Sequence, residues 1–175
     1  MEKIEYKGMF ISLDQDIDAE SPADFECPEN GVFLVTTRNR YFEVIPKGYS
    51  VESIAEHMKT HRTYHGFYVW PLFAYIHSGV ALSLGRKYPF NCPWDSGQIG
   101  FILVKRGTSK DLETNAQGLV DTWNQYLSGD VWSYCIKDND DNFIDACSGF
   151  YGQDWAIKEA KDIIDNYKPP VDYCI

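Results

Sequence analysis

Phe67-Tyr68-Val69-Trp70-Pro71-Leu72-Phe73-Ala74-Tyr75-Ile76, then His77-Ser78-Gly79, then Val80-Ala81-Leu82-Ser83-Leu84 is the stretch that decides the fold. Two runs rich in aromatic and β-branched side chains flank three turn-forming residues, which predicts two strands joined by a tight connection. A connection that short fits only antiparallel strands. Pro71 interrupts the longest apolar run, which is too short to span a bilayer as a helix.

Working outward, 97–105 reads as another strand, and 9–13 as a weakly alternating first one. Residues 32–37 and 41–45 predict a hairpin around Arg38-Asn39-Arg40. Residues 131–137 and 143–151 predict a second, around Asp138-Asn139-Asp140-Asp141. Three helices are expected. The first, 51–59, is capped by Ser50 and gathers Val51, Ile54, Ala55 and Met58 on one face. The second, 110–127, is capped by Ser109, carries Leu112, Ala116, Leu119, Val120, Trp123 and Leu127, and ends at Ser128-Gly129. The third, 155–167, turns Ala156, Ala160, Ile163, Ile164 and Tyr167 inward and stops at Pro169-Pro170. The expected architecture is a single α+β domain over 1–175: a mixed, mostly antiparallel sheet with two to three helices packed on one side. No Gly-rich strand-to-helix turn occurs, which argues against a doubly wound nucleotide-binding fold.

The chain has 175 residues, 44% hydrophobic and 15% aromatic, enough for a packed core. Its net charge of −10 opposes direct contact with a nucleic-acid backbone and suits a partner with a basic surface. Residues 14–30 hold seven carboxylates and two prolines, and read as an acidic loop. The N-terminus lacks a basic segment followed by an apolar one, so no signal peptide is expected. Cys27, Cys92, Cys135, Cys147 and Cys174 form no CxxC and read as reduced thiols, although Cys135 and Cys147 are placed to meet across a hairpin. A cytoplasmic protein without membrane segments is expected.

His77, Cys92 and Asp95 supply a base, a nucleophile and an orienting acid, with Ser78 or Ser96 as substitutes for the thiol. The competing account is structural: Pro93 sets a turn, Trp94 plugs the core and Asp95 accepts backbone N–H groups. His57, His61 and His65 are spaced four apart, but a third histidine two helical turns on is about 12 Å away along the axis. No metal and no cofactor are expected. The 138–142 run begins like a calcium loop, yet Phe143 stands at the glycine position and Gly149 at the twelfth, so it reads as a turn. Phe150, Tyr151, Trp155, Tyr64, Phe67, Tyr68 and Trp70 read as core, or as partner anchors where exposed.

Pro71-Leu72-Phe73-Ala74-Tyr75-Ile76-His77-Ser78-Gly79, Pro89-Phe90-Asn91-Cys92-Pro93-Trp94-Asp95-Ser96-Gly97-Gln98-Ile99-Gly100-Phe101-Ile102 and Asp145-Ala146-Cys147-Ser148-Gly149-Phe150-Tyr151-Gly152 together resemble a family of small proteins encoded by bacteriophages and other mobile elements. The resemblance covers about Trp70 to Gly152. Ile76 stands where that pattern often has Asp, and Ser148 where it often has a larger aromatic. The resemblance implies a mobile-element origin in a bacterial host and assigns no reaction.

Three functions follow as expectations. The first is an acidic binding protein that inhibits a host defence or nucleic-acid-handling protein, of anti-CRISPR or antirestriction type. Its contacts would be Asp14, Asp16, Asp18, Glu20, Asp24 and Glu26, with Asp138, Asp140 and Asp141 as a second patch. The second is a small hydrolase built on His77, Cys92 and Asp95. The third is a binder of a small molecule or signalling nucleotide, which needs Arg38, Arg40, Lys47, Arg62, Arg86 and Lys87 to converge.

Overall fold

The computed structural model describes residues 2–39, 42–85, 94–108 and 110–168. In chain order the elements are β1 (Glu2–Tyr6), β2 (Met9–Gln15), a 3-10 turn (Pro22–Asp24), β3 (Val32–Thr36), α1 (Val51–Met58), β4 (Phe67–Ile76), β5 (Val80–Leu84), β6 (Ser96–Lys105), α2 (Leu112–Ser128), β7 (Val131–Asp138), β8 (Phe143–Tyr151) and α3 (Gln153–Asn166). The fold is α+β and every strand pairing is antiparallel. The strands divide between two four-stranded sheets, and the chain groups into two compact units.

The first unit comprises Met1–Ala19 and Gly129–Ile175. Its sheet runs β1-β2-β7-β8. Strand alternation sends Ile11, Leu13, Tyr134 and Ile136 to one face. There they bury Ala156, Ala160 and Ile164 of α3, which recur every fourth residue and so share one helix face. Lys7 and Gly8, both at positive φ, form the two-residue β1–β2 turn, since Tyr6 pairs directly with Met9. At the β7–β8 turn the Asp138 carboxylate accepts the Asp140 and Asn142 N–H groups at 2.9 and 2.8 Å. This is the polar turn the sequence predicts.

The second unit is Glu20–Ser128, with strand order β3-β6-β4-β5. Here helices cover both faces. Leu34, Leu72, Ala74, Leu82, Ile102 and Val104 pack against Ala116, Leu119, Val120 and Trp123 of α2. Phe33, Val35, Phe101 and Leu103 pack on the other side with Ile54 of α1, Tyr64 and Phe67. Strands buried on both faces read as unbroken apolar runs, as 32–35 and 101–104 do. Pro71 is tolerated in β4 because pairing with β5 begins only at Leu72. Gly100 faces Thr36 and Leu72, and a Cβ there would lie 2.0 Å from the Val35 carbonyl oxygen.

The first predicted hairpin takes another form. Residues 42–45 are not a strand; instead the buried Thr36 side chain accepts the Val44 N–H at 2.8 Å, while the Thr36 N–H donates to the Val44 carbonyl. A side chain thus replaces one rung of the ladder. Phe42 and Val44 still reach the core.

Candidate functional site

Three groups of polar residues emerge. The first lies at one end of the second unit's sheet. The β4–β5 turn carries His77, and the start of β6 follows Asp95; the Ile76 N–H donates to the Asp95 carbonyl at 2.7 Å and ties the two together. His77 Nδ1 stands 3.5 Å from Asp95 Oδ2, both partly exposed. That is the base-and-acid half of the predicted constellation. Cys92 lies outside the described residues, so the pair is assembled without a placed nucleophile. Trp94, expected to plug the core, is 92% exposed. It borders an open cleft of about 480 Å³ with Asn39, Ile76, Asp95 and Ser96.

The second group is the acidic residues. Residues 14–30 are not one loop: Asp14 and Gln15 belong to β2, and Pro22–Asp24 is a 3-10 turn. Asp14, Asp18, Asp140 and Asp141 are exposed in the first unit. Asp16 is engaged, accepting the Gly149 N–H at 3.0 Å and the Asp18 N–H at 3.2 Å. In the second unit Glu20 is exposed, and Asp24 caps the 3-10 turn by accepting the Ser21 N–H. Glu26 is turned inward, which removes it from any exposed acidic patch.

Glu26 forms the third group. Its Oε2 and the Trp123 Nε1 are both fully buried, and neither makes a hydrogen bond of normal geometry among the described residues. Burial pushes the Glu26 carboxyl up to about 8, with the neighbouring Trp123 indole pulling weakly the other way. A neutral acid at pH 7 is the result. Glu26 lines a cavity of about 410 Å³ with Glu29, Glu43 and Lys47. The Glu29 carboxyl is held below its ordinary value by a backbone N–H and by Cys27. Sequence reasoning placed Glu26 among solvent-facing acids, and nothing in the local sequence marks it apart from its acidic neighbours.

The histidines come closer than helical spacing allows. α1 ends at Met58, and the chain turns so that the His65 ring lies 5.1 Å from His57, which stacks on His61 at 4.1 Å. His65 has a φ of 45°, which reverses the chain at that point. Stacked rings present faces to one another, and no three His, Cys, Asp or Glu residues among the described ones are arranged to hold a metal ion. Cys135 and Cys147 do not face each other: Cys135 pairs with Ala146 and Cys147 with Tyr134, and both thiols are free. Of the aromatic set, Tyr64 and Phe67 are buried, whereas Trp155 is 58% exposed beneath the Lys158 ammonium. Of the six cationic residues a phosphate binder needs, Arg40, Arg86 and Lys87 lie outside the described residues. Lys47 lines the Glu26 cavity, in acidic company.

No helix among the described residues is long and apolar enough to cross a membrane. Comparison with family models, with curated proteins and with solved structures finds no match for the chain.

Proposed function

We propose that the protein is an acidic binding protein that occupies the basic surface of a nucleic-acid-handling partner, in the manner of a phage- or mobile-element-encoded inhibitor of host defence. The carrying observation is the uneven distribution of charge. The first unit holds fifteen acidic residues against six lysines and arginines, a net −9, whereas the second holds eleven against ten. A small sheet-and-helix unit with that imbalance offers a dense field to a cationic groove, which speeds encounter and selects basic partners. Asp14, Asp18, Asp140 and Asp141 are the exposed carboxylates that fit this role. The test is capture of partners from a bacterial lysate by the tagged protein at low and high salt. One enriched nucleic-acid-binding protein that elutes at high salt supports the reading; capture unchanged by salt overturns it.

A second reading, a small hydrolase, is favoured by the 3.5 Å approach of His77 and Asp95 next to an open cleft. A panel of ester and amide substrates, turned over by the wild-type chain and not by His77→Ala, would support it.

A further inference from the structure

Where β4 ends and β6 begins, the second unit holds an open cleft of about 480 Å³, a volume that takes a small ligand. The acidic-surface reading leaves it unused, and the hydrolase reading takes only the His77–Asp95 pair beside it. Two features of β6 keep it open. Gly97 pairs with Ala74 and so faces the same side as Ile76, two residues further along β4; all three line the cleft. A Cβ at Gly97 would meet nothing within 4 Å, and its φ is not one that demands glycine. A strand glycine that neither backbone nor packing requires is typical of a place where a ligand comes close. Two residues on, Ile99 is an extra residue in β6, since Leu72 pairs with Gly100 and Phe73 with Gln98. Bulges of this kind recur beside functional sites, where they re-aim side chains.

Trp94 stands at the rim, 92% exposed. The chain next to it is tied down, because the Asp95 carbonyl accepts the Ile76 N–H at 2.7 Å and Ser96 pairs with Tyr75. The indole is therefore carried on fixed backbone. The polar residues lining the cleft are Asn39, Asp95 and Ser96, and no lysine or arginine is among its described lining residues. Without a cation the cleft is a poor host for phosphates and carboxylates. A flat indole offers apolar area at low entropic cost, while amide and carboxylate groups pair well with hydroxyls, which both donate and accept. A pyranose ring meets both demands, with a face of C–H bonds and a rim of hydroxyls.

We propose that this cleft binds a neutral saccharide, with a sugar ring stacked on Trp94, its edge in the space left by Gly97, and its hydroxyls paired with Asp95 and Asn39. Binding needs neither the acidic first unit nor a nucleophile, so it stands or falls apart from both readings above.

Titration of the full chain with maltose, cellobiose, lactose and N,N′-diacetylchitobiose, followed by calorimetry and by NMR of the Trp94 indole and Gly97 amide, tests this. At least one sugar should bind with a Kd of about 1 mM or tighter and shift both resonances. Affinity should be the same at about 0.05 and 0.5 M salt, because a neutral ligand has no charge to screen. Trp94→Ala removes the platform and Gly97→Val fills the space; each should weaken binding about tenfold or more with little change in melting midpoint. Trp94→Phe should restore part of the affinity. Tighter binding of longer oligomers of the same sugar identifies a polysaccharide as the occupant, and equal binding a free sugar. Failure of all these sugars to bind the wild-type chain, wild-type affinity in Gly97→Val, or equally strong, salt-sensitive binding of tetramethylammonium at Trp94 overturns the proposal.

Discussion

The Glu26 carboxyl lies buried against the Trp123 indole, and neither polar atom makes a conventional hydrogen bond among the described residues. This pairing has a consequence for stability. The folded-state value of about 8 exceeds the ordinary value of 4.5, so the folded state holds more protons between those limits. Stability therefore declines as pH rises from about 4.5 to about 8 and flattens above. With part of the side chain still near solvent, the loss is on the order of 2–4 kcal/mol. Urea denaturation of wild type and Glu26→Gln at pH 5 and pH 8.5 checks the sign: wild type should weaken at the higher pH relative to the variant. Equal behaviour of wild type and variant across this range would show that the acid is solvated.

Gly100 is a second position with a forced outcome. A methyl group there would sit 2.0 Å from the Val35 carbonyl oxygen and 2.8 Å from the Thr36 Cα, both backbone atoms of the neighbouring strand. Backbone in the middle of a sheet buried on both faces has no room to yield. Gly100→Ala should cost roughly 3 kcal/mol or more, read as a lowered denaturation midpoint. Gly97→Ala, three residues away with nothing within 4 Å of its Cβ position, should be within about 1 kcal/mol of wild type.

The two tryptophans 94 and 123 separate what the sequence discloses from what it hides. Trp123 repeats at helical spacing with Ala116, Leu119 and Val120, and it is buried as that spacing predicts. Trp94 lies in an irregular stretch where hydrophobicity is the single cue, and it is 92% exposed. Trp123→Ala should cost about 3–5 kcal/mol, whereas Trp94→Ala should stay within about 0.5 kcal/mol. Thermal melts of the two variants decide this, and a large loss at Trp94 would mean that it is covered in the folded protein.

Regular periodicity explains most of what was legible. β4, β5 and β8 begin and end where alternation and turn residues place them. β1 was missed because Glu2–Tyr6 is short and edge-lying, and its only marker is the two-residue Lys7-Gly8 turn. The division into two sheets was not legible, since β2 finds β7 more than a hundred residues away and no local pattern records that pairing. The His77–Asp95 approach joins the β4–β5 turn to the residue just ahead of β6, and the sequence marked both by residue type. The Glu26 cavity does not, because whether a carboxylate in an acidic stretch faces water or the core depends on the tertiary path of 22–30.

The charge imbalance of the first unit yields the prediction closest to function. Asp14 and Asp18 are exposed, whereas Asp16 between them spends its carboxylate on the Gly149 and Asp18 N–H groups. Reversing Asp16 would therefore disturb β8 as well as the field, and the clean variant is Asp14→Lys with Asp18→Lys. That double change should leave the melting midpoint nearly unchanged and weaken a basic partner by roughly tenfold at low ionic strength, mostly through slower association. The deficit should shrink as salt rises toward 0.5 M, because screening removes the field that the two carboxylates help to make. Association rates measured by surface plasmon resonance across that salt range give the comparison. Equal rates for the double variant and wild type at low salt would place the partner's contact away from this edge of the first unit.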